Sequence, residues 1–290
     1  MATASRLEGK RTWTGLGSKR VRLNDALRVV LLTALVLVCL IPVVWTVLGS
    51  FKTPTELAQV PGSVLPESWS FTNYSQALKR FNFLGYITNS VIVTVGATIL
   101  TLVINSMAAY PLAKYNFRGK NFLFILTLAT IMIPLQVILI PVYQVVSSLG
   151  LVNSLWGLII PAAATPTGVF LLRQYMLTIP DELIEAARVD GSGEFRTFLT
   201  VVLPLCKPAL AVVAIFSVMW RWNDFLWPLV VAQSESVYTL PVALARFNAE
   251  ETVPFNLILA MSVISILPVI VIFPFFQKQI ATGIANTGIK

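Results

Sequence analysis

Residues 173–208 read RQYMLTIPDELIEAARVDGSGEFRTFLTVVLPLCKP, a polar, acid-containing stretch between two long apolar runs. Pro180 suits the first helical position, Asp181 and Glu182 complement the positive start of a helix, and Gly191 suits the left-handed stop after its last turn. The spacing predicts a separate helix of about three turns. Beyond Gly193 a second helix is expected, with Phe195, Phe198, Leu199 and Val202 on one apolar face, until Leu203-Pro204 ends it. Small Ala186 and Ala187 on an exposed helix would let another protein's backbone approach closely, and Glu185 and Asp190 flank them with charge. A docking knob and a solvated re-entrant linker both fit these features.

Outward from this stretch the chain turns apolar. Of its 290 residues, 56% are apolar and 12% charged, and the mean hydropathy is +0.79, against about a quarter charged in soluble domains. Apolar runs near membrane-spanning length occupy Val29–Phe51, Ile87–Tyr110, Phe122–Val146, Leu155–Leu172, Ala209–Ala232 and Phe255–Phe276. The fold class expected is an all-α polytopic membrane protein with six transmembrane helices. The first run follows a basic stretch, as in a secretory signal. It is long enough to span and lacks a small-residue cleavage pattern, so it reads as a retained anchor.

Six spans place both termini on one side. That side carries 16 of the 21 Lys and Arg residues and the opposite side four, Arg221 lying within a run. Basic residues concentrate in cytoplasmic segments near the membrane, so the termini and residues 173–208 are expected in the cytoplasm. The net charge of +8 becomes an orientation signal and leaves no reason to expect a nucleic-acid partner. Residues 1–27 form a basic tail, 28–276 the membrane domain, and 277–290 a second tail. Prolines 42, 134, 141, 161, 166, 268 and 274 interrupt the spans. Each removes a backbone donor, which is tolerated where neighbouring helices or a wet cavity satisfy the freed carbonyl. The run through Pro161 and Pro166 is richest in small residues and is expected to pack among other helices rather than against lipid.

Several chemistries are excluded by residue type. Histidine is absent, which removes histidine bases, histidine metal ligands and Ser-His-Asp or Cys-His pairs. Cys39 and Cys206 lie far apart in apolar surroundings, so no disulfide framework or metal motif is expected. Gly9-Lys10-Arg11 and Gly119-Lys120-Asn121 lack the earlier glycine and the following Ser or Thr of a Walker A loop, so any ATP hydrolysis must come from another chain. No catalytic residue, metal or cofactor is expected here.

Glu185-Ala186-Ala187, three residues, Gly191, nine residues, then Val201-x-Leu203-Pro204 resembles the EAA signature of ATP-binding-cassette importer permeases, with valine for isoleucine as the departure. Phe51-Lys52-Thr53, Thr72-Asn73-Tyr74, Asn89-Ser90, Trp222-Asn223-Asp224-Phe225-Leu226-Trp227-Pro228 and Thr287-Gly288-Ile289-Lys290 are similar to the carbohydrate-uptake branch, in particular its maltose-type G permease subunits. The resemblance implies a type I importer permease fold with cytoplasmic coupling helices, in a bacterial or archaeal inner membrane. It implies three kinds of partner: a homologous second permease, an ATPase dimer that binds ATP and Mg, and an extracytoplasmic solute-binding protein. It makes Glu185, Ala186, Ala187, Asp190, Gly191, Leu203 and Pro204 the residues that couple to the ATPase.

Arg221 and Asp224 stand three apart within an apolar run, where they can pair on one helix face. They fall roughly 20 Å along the span from Pro208. Ionisable groups at such depth usually face a cavity or a partner helix. With Trp222, Asn223, Phe225 and Trp227 they offer aromatic faces beside hydrogen-bonding groups, which suits sugar rings. Helix packing and an interfacial aromatic belt suit the same residues. A self-contained secondary transporter remains the rival class, although beyond Asp224 the spans hold no buried acid and no repeat is visible.

Overall fold

The computed structural model describes residues 18–250 and 252–270. The tail up to residue 17, the end of the sixth run with Pro274, the tail 277–290, and with them the expected side of both termini lie outside the described residues. Among the described residues every regular element is helical.

Helix α1 (Ser18–Gly49) runs through Pro42 without a break and is exposed from Asp25 to Trp45. A helix apolar on every side and uncovered by its own chain requires lipid or another protein around it. Short helices α2 (Pro54–Ala58) and α3 (Thr72–Arg80) lead into α4 (Phe83–Lys114), the central strut. Its 32 residues span about 48 Å. Along its middle the side chains it buries are mostly small or polar, Ser90, Thr94, Ala97, Thr98, Thr101, Asn105 and Ala109 among them, and small residues let backbones approach where apolar burial gives no net drive. Helices α7 (Leu155–Ala163), α8 (Pro166–Met176) and α11 (Lys207–Trp222) pack on this face. Polar groups bond across the seam: Thr98 with Ser217 at 2.9 Å, Asn105 to Thr165 at 2.6 Å. The expectation that the fourth run packs inside the bundle is met.

The spans are more broken than the hydropathy runs imply. Phe122–Val146 divides into α5 (Lys120–Ile131) and α6 (Leu135–Ser148), which meet at 106°. Pro134 supplies no N–H and steers Ile133 out of the helical region. The fourth run bends by 41° between α7 and α8. The run Ala209–Ala232 stops at Trp222 and resumes as α12 (Leu226–Val231), so Arg221 and Asp224 do not share one continuous helix. Pro228 would clash with the carbonyl four residues earlier, that of Asp224, which places the break there. Two last helices, α13 (Leu240–Asn248) and the apolar α14 (Phe255–Ile270), complete the described chain.

Between α8 and α11 lie α9 (Asp181–Val189) and α10 (Glu194–Leu205), the latter meeting α11 at 78°. The expected apolar face of α10 is not realised: Phe198 and Val202 are buried, whereas Phe195 and Leu199 are exposed. A π turn over Phe198–Val202 shifts the register of the face beyond Phe198. Pro204 cannot donate to Thr200, and the preceding ladder widens to accommodate it. The helix continues to Leu205 rather than ending at Leu203-Pro204.

The same missing donors explain two side chains in the bundle. Pro166 leaves the carbonyl of Ala162 without its helical partner, and Arg221 Nη2 donates to it at 2.7 Å, with the Thr101 hydroxyl a longer second donor at 3.5 Å. Pro161 does the same to Gly157, whose carbonyl accepts from Trp227 Nε1 at 3.0 Å. Two donors from the broken fifth run thus satisfy two proline-freed carbonyls in the fourth. A double-mutant cycle tests this. Arg221→Met should cost about 1–3 kcal/mol in detergent unfolding, the loss of a charged donor from a buried carbonyl that keeps only Thr101 at 3.5 Å, and distinctly less in a Pro166→Ala background. Equal costs in both backgrounds would contradict it.

Candidate functional site

At one end of the bundle, α9 is defined on both sides by backbone chemistry. Pro180 caps the helix rather than occupying its first turn, and Asp181 and Glu182 follow. At the other end Gly191 adopts φ +78°, Gly191 N–H bonds Arg188 O at 3.0 Å, and Ser192 N–H bonds Ala187 O at 2.9 Å. This is the paired Schellman closure that a left-handed glycine permits. A Cβ on Gly191 would meet nothing within 4 Å, so only the backbone angle demands glycine.

The helix has an inner and an outer face. Ile184 is buried in a core with Tyr110, Leu172, Met176, Ile179, Phe198 and Val202, and Ala187 is buried as well. The expectation that Ala187 is exposed is therefore corrected: it faces this chain's own core, one turn from Ile184. Glu185, Ala186 and Asp190 point outward. So do Leu183 and Val189, the latter 88% exposed, so the outer face is an apolar ridge with acids beside it. Leu183 and Val189 went unnoticed in the sequence because their periodicity alone does not say which side of a short helix is covered. Leu203 is half-buried and Pro204 exposed, directly after the π turn.

Three polar ties join this end to the last turn of α4. Lys114, 4% exposed, donates to the Ile179 carbonyl just before α9 and to Asp181 Oδ1 at 2.6 Å. Tyr115 Oη donates to Glu194 Oε2 at 2.5 Å, and Arg188 meets the same carboxylate at 2.8 and 3.3 Å. Arg173 Nε caps the Leu112 carbonyl at 3.0 Å while its guanidinium lies 3.8 Å from the centroid of Phe124. Cations at a helix C-terminus meet carbonyls that have no helical partner. Lys114, Tyr115, Arg173 and Glu194 were not singled out in the sequence, since each pairing crosses 61 to 79 residues.

The electrostatics follow. The hydrogen bond and charge of Lys114 hold the Asp181 carboxyl below its ordinary value. Arg188 first and Tyr115 second do the same for Glu194, and Glu194 raises Arg188 in return. Burial, then the Glu194 hydrogen bond, pushes the Tyr115 phenol up.

The residues expected along a substrate path divide. Trp222 is buried in a core with Phe83, Tyr86, Leu240 and Met261, and Trp227 is buried on the Gly157 carbonyl. Arg221 lies 4.0 Å from Asp224, with side chains 16% and 19% exposed. Asn223 is exposed and folds back on Met219 O at 2.8 Å, and Phe225 is half-buried. The exposed aromatic face of α11 is instead Phe216 stacked with Trp220 at 5.7 Å, continued by Met219 and Asn223 at helical spacing.

Residues 102–286 match the family of binding-protein-dependent transport system inner membrane components. The chain is 37% identical over 257 residues to the arabinooligosaccharides transport system permease protein of Bacillus subtilis, covering 88% of this chain and 92% of that one. It is 32% identical over 253 residues to the diacetylchitobiose uptake system permease protein of Streptomyces coelicolor, covering 86% and 83%. A crystal structure of a bacterial ABC transporter involved in the import of the acidic polysaccharide alginate contains a chain that matches at TM-score 0.82 and 27% identity, covering 91% of this chain and 99% of that one. The chain belongs to the binding-protein-dependent transport system inner membrane component family. That membership sets aside a self-contained secondary transporter.

The polar ties make a pH statement. Asp181 and Glu194 have lowered pKa values in the folded loop, so their contribution is present above the ordinary carboxylate range of roughly pH 4 and is lost only as pH falls through the lowered values. Hydrogen exchange of α9, corrected for intrinsic rates, should stay flat from about pH 8 to 6 and quicken only in acid. Lys114→Met should lower α9 protection about fivefold or more at neutral pH. Unchanged protection in that variant would contradict the tie.

Proposed function

We propose that this chain is the permease subunit of an ATP-driven carbohydrate importer in a bacterial or archaeal cytoplasmic membrane. In this reading six helices span the bilayer within residues 28–276, both tails are cytoplasmic, and residues 173–208 form the coupling loop. A homologous second permease completes the translocation path. A solute-binding protein delivers substrate from outside, and a cytoplasmic ATPase dimer binds ATP and Mg. Carbohydrate as the substrate class is supported by the oligosaccharides named for the two curated relatives and the polysaccharide named for the structural neighbour.

The observation that carries the reading is the outer ridge of α9. Glu185, Ala186, Val189 and Asp190 face away from the bundle, while Ile184 and Ala187 anchor the helix from beneath. A ridge with one small side chain at its centre fits a cleft in a motor subunit, and the ties to α4 make the helix a lever rather than a flap. When the ATPase pair closes on nucleotide, α9 moves with it, and α4, α8 and α11 follow as packed bodies. Leu203 and Pro204 set the turn through which α10 passes that movement to α11. On the substrate path, Asn223, Asp224 and Phe225 join Phe216 and Trp220 as the groups presented toward the second permease. Arg221, Trp222 and Trp227 hold the path's shape.

Gly191→Val tests the coupling. The left-handed angle costs a non-glycine residue about 1–2 kcal/mol, more for a branched one, but the open space around Gly191 leaves the bundle intact. The variant should insert and purify with its partners, yet lose uptake and binding-protein-stimulated ATPase activity. Normal uptake would contradict the lever.

A further inference from the structure

At the end of α4 remote from α9, the segment joining α1 to α4 folds into a cup. Asn73 Nδ2 donates to the carbonyls of Ser50 and Lys52, both at 2.8 Å, and so pins the exit of α1 to α3. Asn256, in the first turn of α14, donates its own Nδ2 to Asn73 Oδ1 at 2.7 Å. The Glu56 carboxylate closes the intervening loop by accepting from the N–H groups of Thr53 at 2.6 Å and Glu67 at 2.7 Å. These bonds border a half-open cavity of about 380 Å³ lined by Phe51, Ser70, Asn73, Gln76 and Asn256 among others.

The lining has a definite chemical character. None of its residues is charged, so it offers nothing to balance a phosphate, a carboxylate or an ammonium group. Phe51 is the aromatic residue of the lining, its ring packed near Trp69, Phe71 and Tyr74 with centroids 5.3, 5.4 and 5.5 Å away. Pro54 and Pro254 line it too, and residues with hydroxyls or side-chain amides make up the rest. Asn256 is 3% exposed, yet its Oδ1 accepts no hydrogen bond. Buried acceptors of this kind are ordinarily satisfied, and this one, on a residue that lines the cavity, requires an O–H or N–H donor. The volume sits at the lower end of small-molecule sites.

We propose that this cavity binds a single ring of a neutral saccharide, stacked on Phe51 with a hydroxyl donated to Asn256 Oδ1. The site is separate from the Phe216–Trp220 face of α11. Placing it on the outer side, where a delivered sugar would be held before entering the path, rests on the orientation proposed above. The binding chemistry does not.

Saturation-transfer NMR on the assembled importer in lipid nanodiscs, without its binding protein, tests the proposal. The probes are methyl α-L-arabinofuranoside, methyl β-D-glucopyranoside and methyl N-acetyl-β-D-glucosaminide, with methyl β-D-glucuronide as the charged comparison. At least one neutral probe should receive saturation and the glucuronide should not. The transfer should fall about fivefold or more in Gln76→Trp, which fills the mouth from the exposed side of α3, and in Asn256→Leu. If Asn256→Leu does not assemble, Gln76→Trp alone decides. Absence of transfer to every neutral probe, equal transfer to the glucuronide, or transfer undiminished in an assembled variant would overturn the proposal. Uptake of labelled oligosaccharide separates the two readings. Intact uptake without probe binding overturns only the cavity, and probe binding without any saccharide uptake overturns only the proposed substrate.

Discussion

Backbone carbonyls that have lost their helical donors organise this chain. In lipid such a group has no water to turn to, so it must find a donor within the protein. Pro161 and Pro166 release the carbonyls of Gly157 and Ala162, and Trp227 and Arg221 reach from the fifth run to meet them. The end of α4 releases that of Leu112, and Arg173 meets it from α8. The turn before α9 presents that of Ile179, and Lys114 meets it from α4. Each bond joins elements far apart in sequence. Together they rivet the fourth and fifth runs to one another and α9 to the central strut.

This arrangement gives the intramembrane residues a role different from the one their chemistry first suggests. An arginine beside aspartate and tryptophans in an apolar run looks like a sugar site. In place, the guanidinium and one indole are committed to backbone, and Trp222 is closed into a core. The exposed stack of Phe216 on Trp220 is an aromatic surface of that run left uncommitted. A tied helix at one end and a packed seam in the middle are complementary, because packed elements transmit displacement without absorbing it.

The apolar runs and the loop between the fourth and fifth were legible in sequence because both depend on local pattern: length of apolar residues in one case, helix start and stop signals in the other. Gly191 takes the left-handed angle its position demanded. The breaks were legible only in part. Pro134 and Pro166 stood out, but the 106° turn at the first and the gentler 41° at the second depend on what each half packs against. The division at Asn223 was hidden because Pro228 acts four residues upstream of itself. Ala187 was misplaced for a related reason: which face of a nine-residue helix is covered depends on Ile184 and Phe198 meeting in space. The ties of Lys114, Tyr115 and Glu194 pair residues whose separation carries no periodic signal.

The central claim is that α9 is a rigid extension of α4. Spin labels at Glu185→Cys on the outer ridge and Ile99→Cys on the exposed side of α4, in a Cys39→Ser background, measure it by dipolar spectroscopy on the assembled importer. The account predicts one narrow distance distribution, unchanged between nucleotide-free and ATP-bound states. A shift or second population displaced by about one helical turn, roughly 5 Å, would show α9 swinging on its own and contradict it.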